Sequence, residues 1–573
     1  MLTLTTAVGV LCAAVSTGAL LFAGGRLGAL AASSVAERAL TAAIVAGALA
    51  VAMSLGLGIV DLGSSQTALT LVSLALAAAS LTLPAPRASL SRQLLARWET
   101  TGPNARIAIG AVGGVVALWA LFSLLRPTLD LDSAYYNLPQ ISGWIAEGNP
   151  GSIQLVSFYY PIGNYPLTNE VLMTWSGSVS GNMGVLLLWP LAAGALLAGG
   201  IYTTLRALGS DVRLALVAVA VTLTIPVVTE SLTSMDSDLP SMAWGAAVVA
   251  LSVRVATGKG SPGLIPFAVL GLGLALGTKT TVAPICLAAL GFALYRSRRE
   301  LRLWPIAAAV LGAVAVGGVW YLRNWIDHGN PLWPFTSIPG SDPLPETLDY
   351  LSAPFISSPL DTLDGRIGEY FDRLGAGILL ILAGMVLPFF TGVKRLWWLG
   401  GAVALSLLLW MVAPATGEPP GPDGEIFQVS GARYLMASIV LAIGVVTFLA
   451  WQRGRTAAAA KVVLGAALAW GAVSLAMTRD GVPPGWMVLA ALLVGAALAS
   501  GVGVLRVGRP LASGLAVAAA LVVAVGLAAY PDSFLNRFAS AAEQAEDPLE
   551  DASLTYDELA VWFDNQDLSL IHI

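Results

Sequence analysis

Residues 184–204, GVLLLWPLAAGALLAGGIYTT, contain no charged side chain and end beside Leu205-Arg206. A bilayer-crossing helix needs about 20 mainly apolar residues, so this stretch reads as a membrane span with a basic residue at its edge. Stretches of the same kind recur along the whole chain of 573 residues, of which 57% are apolar and 11% charged, with a mean hydropathy of +0.78. That composition excludes a soluble globular protein, and the expected fold is an all-α polytopic membrane protein. About sixteen transmembrane helices are expected. They lie near 4–24, 40–60, 64–83, 107–125, 184–204, 213–229, 239–256, 262–278, 280–296, 304–322, 375–393, 396–415, 434–451, 461–478, 485–505 and 510–530.

Lys and Arg near helix ends stay cytoplasmic, whereas acids contribute little to orientation. One set of alternate loops is basic, with Arg26 and Arg38, Arg87 and Arg106, Arg206 and Arg213, Arg254 and Lys259, Arg296 and Arg302, Lys394 and Arg395, Arg453 and Lys461, and Arg506 and Arg509. It takes most of the 29 basic residues and few of the 34 acids. The opposite loops are acidic and include the long ones, 126–183, 323–374 and 416–433. A chain that elaborates one face is expected to do its chemistry there. Scarce Lys beside abundant Arg and Ala suggests a bacterial, GC-rich genome. The expected location is therefore a bacterial cytoplasmic (inner) membrane, multi-pass, with the active face extracytoplasmic and contacts with membrane lipid but no nucleic acid. Cys12 and Cys286 fall in apolar helices and read as packing residues.

Leu129-Asp130-Leu131-Asp132-Ser133-Ala134-Tyr135-Tyr136-Asn137-Leu138-Pro139 follows the apolar helix near 107–125. Read as extended chain, it puts the Asp130 and Asp132 side chains on one face. The aromatic continuation through Tyr135 and Tyr136 would desolvate an acid and raise its basicity, as a general base requires; solvated loop acids are the plainer alternative. Asp236-Ser237-Asp238-Leu239-Pro240 forms a second acid pair, and Asp238 reads equally as a helix cap. Asp130, Asp236 and Asp238 could also hold a divalent metal, Mg or Mn, through oxygen ligands. Lys279, Arg323 and Arg433 stand at the acidic-side ends of apolar helices and could bind a phosphate by charge-assisted hydrogen bonds; Lys279 could equally snorkel to a lipid headgroup. His328 and Asn330 lie in the second acidic-side loop and, with Tyr135 and Tyr136, are candidates for contacting substrate.

Asp132-Ser133-Ala134-Tyr135-Tyr136-Asn137-Leu138-Pro139 resembles the first outer-loop signature of bacterial C-type (GT-C) glycosyltransferases, in the branch related to protein mannosyltransferases and aminoarabinose transferases. Tyr159-Tyr160-Pro161 through Trp175, the Asp236–Pro240 turn, Gly273 to Lys279, Arg323-Asn324 and Gly329-Asn330-Pro331 follow in that family's order. The resemblance covers about residues 107 to 440. Two departures stand out: Asn137 occupies the place of the usual His, and three helices precede the usual first one. The resemblance implies an inverting transferase that moves a sugar from a polyprenyl-phosphate donor to a glycan, lipid or protein acceptor. It puts Asp132 at the catalytic acid position; the chemistry of such a transfer then suggests Asp132 as base, Asp130 or Asp238 as its partner or a metal ligand, and Lys279, Arg323 and Arg433 on the phosphate. A transporter or lipid flippase is the competing class, but its ionisable groups would be expected near the bilayer midplane. An envelope scaffold would give the paired acids no role.

The expected organisation is 1–106 as extra N-terminal helices with a basic loop, 107–440 as the catalytic membrane module, 441–530 as C-terminal helices and 531–573 as the start of an outer soluble domain. Leu568-Ser569-Leu570-Ile571-His572-Ile573 is what a transposase sequencing adapter end encodes, so the last domain is expected to be truncated.

Overall fold

A computed structural model of the chain describes residues 4–84, 93, 102–125, 132–154, 156, 160–345, 354–357, 359–413, 430–476 and 485–502. These residues are overwhelmingly helical, and no strand forms among them. Nine described helices are long and apolar enough to cross a membrane, or ten if one bent pair counts as a span. Shorter apolar helices at Gln66–Ser80, Val212–Leu223, Pro262–Thr278 and Trp486–Ala497 occupy further expected positions. The all-α polytopic class is therefore what the chain adopts. The span expected near 510–530 and the segment 531–573 lie outside the described residues.

The chain forms two compact units, Met1–Thr101 with Asp132–Thr478, and Gly102–Leu131 with Arg479–Ile573. In the second unit, helices Pro103–Leu125 and Gly485–Val502 approach so closely that a Cβ on Gly495 would lie 2.0 Å from the Gly110 carbonyl oxygen. Small residues permit such backbone contact where lipid offers no hydrophobic drive.

The first unit is built around helix Asp238–Ala256, of whose membrane window 78% is buried. It is apolar on all sides, as an interior helix must be. Of the corresponding window in helix Lys394–Val412 only 11% is buried. The three N-terminal helices belong to this same unit. Gly9 in the first packs on the Ser180 backbone, and Gln66 Nε2 donates to Val179 O at 3.0 Å, so together they hold the end of helix Thr168–Ser180.

Several expectations change here. The supposed loop 126–183 contains helices Leu138–Glu147 and Thr168–Ser180, and the latter is buried almost throughout. Asp132 is not extended: its φ of −64° and ψ of −39° are helical, so it stands at the start of a helix. The span near 213–229 breaks before Pro226, which cannot donate a hydrogen bond to the preceding turn. In the 375–393 region, Ile367–Leu374 and Ala376–Thr391 meet at 86°. The corner is Gly375 at φ +51°, where a Cβ would also press within 2.9 Å of Trp470 Nε1.

The Gly-rich helix Ile265–Thr278 shows why its glycines matter. A Cβ on Gly317 would fall 1.9 Å from Gly273 O, and one on Gly277 would fall 2.2 Å from Thr168 Oγ1. That hydroxyl donates to Val316 O at 2.6 Å and accepts from Trp320 Nε1 at 2.8 Å. Gly317→Ala should destabilise the protein by about 1–3 kcal/mol through overpacking. A melting curve in detergent indistinguishable from the parent's would contradict this close packing.

Candidate active site

Pro139 lacks an N–H, and the turn before it is wound as a π helix over Ser133–Asn137, with Leu138 N–H donating to Ser133 O. Ser133 Oγ accepts from Met235 N–H at 3.0 Å, which ties this turn to the second acidic segment a hundred residues on. Asn169 reinforces the tie from a third segment: its Nδ2 donates to Met235 O at 3.3 Å while its Oδ1 accepts from Trp189 Nε1 at 2.7 Å. Asp236 N–H donates to Ser234 Oγ at 3.0 Å, and Asp238 opens helix Asp238–Ala256. The Asp238 side chain makes no capping bond; it faces two cations instead.

Lys279 follows the end of helix Ile265–Thr278 and donates from Nζ to Asp238 Oδ1 at 2.6 Å. Its Nζ also stands 4.3 Å from the Tyr434 ring centre. Burial opposes the ammonium charge, but the Asp238 carboxylate outweighs it and holds Lys279 above the ordinary lysine value. Arg433 lies in the short turn Ser430–Leu435 that leads into helix Met436–Trp451. Its Nη1 contacts Asp132 Oδ2 and lies 3.3 Å from Asp236 Oδ1, while its Nε lies 3.5 Å from Asp238 Oδ2. Asp132, Asp236, Asp238, Lys279 and Arg433, drawn from four segments, thus form one cluster of three carboxylates and two cations. Each side chain is between 5% and 23% exposed, so the charges interact with limited solvent screening.

Arg433 is the hub of this cluster. Arg433→Met would remove the cation that three carboxylates share and should cost about 3–5 kcal/mol, the range for breaking a largely buried ion pair. Adding Asp132→Asn to Arg433→Met should recover part of that loss. Equal melting temperatures for the single and double variants would show that Asp132 and Arg433 do not interact in solution.

Asp130 lies outside the described residues, as does the Tyr135 side chain. Tyr136 is half-buried, and desolvation with the nearby Asp132 carboxylate pushes its phenol well above the ordinary tyrosine value. Arg323 is held away from the carboxylates: its guanidinium donates to Gly163 O and, at 3.5 Å, to Gly151 O, and stands 5.1 Å from the Trp320 ring centre. His328 is stacked on Trp333 at 3.6 Å, with Nδ1 3.0 Å from Asp342 Oδ2 and Nε2 3.1 Å from Asn164 Nδ2. Asn330 is fully buried and shapes its own loop, donating to Thr336 O at 2.5 Å and accepting from Leu332 N–H at 2.9 Å. As to a metal, Asp236 and Asp238 face Arg433 and Lys279, and no group of three or more metal-ligating side chains is spaced to hold an ion among the described residues.

Sequence reasoning passed over Glu170, which is 2% exposed in helix Thr168–Ser180 and whose Oε2 has no hydrogen-bond partner. Burial pushes its carboxyl up to about 7, although the Lys279 charge pulls the other way. An acid set against the apolar run Val171-Leu172-Met173 was its only signal. Tyr434, seen in sequence only as a neighbour of Arg433, forms the aromatic wall beside both cations.

A second charge cluster marks the other end of helix Asp238–Ala256, where Arg254 contacts Glu37 and donates to Lys259 O at 2.6 Å. At 1.5 Å per residue the two clusters are about 24 Å apart along the helix, close to the thickness of a hydrocarbon core. The charges therefore sit at helix ends rather than midway along a span. Comparison with curated proteins and with solved structures finds no match. Residues 168–321 match the family model described as dolichyl-phosphate-mannose-protein mannosyltransferase, a stretch that holds Glu170, Asp236, Asp238 and Lys279. That match, over residues 168–321 of the chain, together with the helical membrane fold supports a GT-C type membrane glycosyltransferase related to the protein mannosyltransferases.

Proposed function

We propose that this glycosyltransferase moves a sugar from a polyprenyl-phosphate donor to a glycan, lipid or protein acceptor at the extracytoplasmic face of a bacterial cytoplasmic membrane, with inversion. The observation that carries the proposal is the convergence of Asp132 and Lys279 on the cluster organised by Arg433. A lipid phosphate is already a good leaving group, so the site needs a base for the acceptor hydroxyl and cations for the departing phosphate. Asp132 takes the hydroxyl proton, the acceptor oxygen bonds to the anomeric carbon, and the bond from that carbon to the phosphate oxygen breaks. The electron pair leaves on the lipid phosphate, where Lys279 and Arg433 stabilise the growing charge.

Three carboxylates against two cations leave the cluster one negative charge in excess, so an anionic donor must compete for the cations. As Arg433 turns toward the phosphate it releases Asp132, which is then free to act as a base. Donor therefore binds before acceptor.

The test is transfer from a panel of radiolabelled polyprenyl-phosphate sugars to extracted envelope acceptors by the purified protein, with and without a divalent-metal chelator. Transfer from one donor supports the reading, and its survival or loss in chelator decides whether Mg or Mn takes part. No transfer from any donor to any acceptor would overturn it.

A further inference from the structure

Two buried amide side chains and one oxygen of a buried carboxyl are left without hydrogen-bond partners near the cluster. Asn137 and Gln140 are both fully buried, and neither the oxygen nor the nitrogen of either amide has a hydrogen-bond partner; Glu170 Oε2 is likewise unpaired. Leaving such atoms unpaired in an interior costs about 1–3 kcal/mol each. A fold does not carry that many orphans on one face without a use for them.

Their placement says what the use is. Ser133, Asn137, Gln140, Ile141 and Trp144 recur at helical spacing and are all buried, so they share one face. Ser133 on that face is bonded to Met235, and Ile141 packs with Met173 and Met235. Asn169, bonded to the same Met235, precedes Glu170 on the helix opposite. The amides and Glu170 therefore belong to the interface between the segment Ser133–Glu147, which follows Asp132, and helix Thr168–Ser180.

We infer that Asn137, Gln140 and Glu170 form the subsite that receives the hydroxyl groups of the transferred sugar and so sets which sugar is accepted. This rests on the function proposed above. Each amide offers both donors and acceptors, matching a sugar hydroxyl that does both, and the carboxyl supplies a further acceptor. The lipid phosphate goes to Lys279 and Arg433, and the ring lies between them and the amides. Entry of the ring requires the face to open, and the π turn at Ser133–Asn137 is where helix register is already broken.

The experiment compares binding of polyprenyl-phosphate mannose, the corresponding arabinose and glucose lipids, and bare polyprenyl phosphate to the purified parent and to Asn137→Leu and Gln140→Met. The parent should bind at least one glycosylated lipid more tightly than the bare one. Each variant should lose about tenfold of that preference while holding bare polyprenyl phosphate as before. Because the replaced atoms are unpaired, both variants should melt at or above the parent's temperature. A preference retained in both variants, a parent with no preference for any sugar, or a lowered melting temperature would overturn the subsite. Failure to bind even bare polyprenyl phosphate would instead strike at the phosphate site and the proposed function.

Discussion

Asp132→Asn should lower kcat for transfer by about 100- to 10 000-fold, the range for loss of a general base, with expression and melting temperature unchanged. The amide keeps the shape of the side chain but cannot accept the hydroxyl proton. It also removes one of the three carboxylates that share Arg433, leaving Asp236 and Asp238 against Arg433 and Lys279. Charge is then balanced, so the donor phosphate should bind as tightly as in the parent or more so. The expected signature is a collapsed kcat with a donor KM that does not rise. Parent-like turnover would remove Asp132 from the mechanism. A raised KM with kcat intact would make it a binding residue only.

Glu170→Gln should flatten the pH dependence of stability near neutrality. The folded carboxyl titrates at about 7, well above its ordinary value of 4.5, chiefly because it is buried. Between those values the folded state holds a proton that the unfolded chain has released. Stability therefore falls as pH rises from 4.5 to about 7 and then levels off, by about 3 kcal/mol in all. Glutamine keeps the shape and has no charge to bury, so the variant should gain on the parent as pH rises and exceed it most at about pH 8. Melting temperatures of both proteins across about pH 5 to 8 read this directly. Parallel curves would mean that Glu170 stays ionised in the fold or is solvated within it.

The two experiments separate neighbouring acids by environment. Asp132 is 23% exposed at the side chain and contacts a guanidinium. Glu170 is enclosed without a contacting cation, so it prefers its proton. Near neutral pH Glu170 is close to half protonated.

Much of this was legible in the chain. The uncharged stretch 184–204 fixed a membrane helix, and its many counterparts fixed an all-α class, because a backbone in lipid must satisfy its hydrogen bonds within each helix. The motif order picked out Asp132, Asp236, Asp238, Lys279 and Arg323, and the scarcity of cations at acidic-side helix ends added Arg433. What failed was local. Asp132 looked extended and is helical, because the π turn forced by Pro139 belongs to a helix that begins earlier than the apolar pattern does. The first long loop is largely helix, because its buried residues pack on other helices rather than on a periodic core face of their own.

Sequence by itself determined the class of protein, the placement of most helices and that charge gathers at the helix ends, since each follows from local composition and the cost of charge in lipid. Only the tertiary structure decided that Arg433 joins three acids from two segments, that Arg323 is held apart on backbone carbonyls, and that Glu170, Asn137 and Gln140 are enclosed. Those outcomes depend on contacts between residues as much as three hundred positions apart. No local pattern encodes them, because the desolvation and pairing that give each side chain its character exist only once the helices have packed.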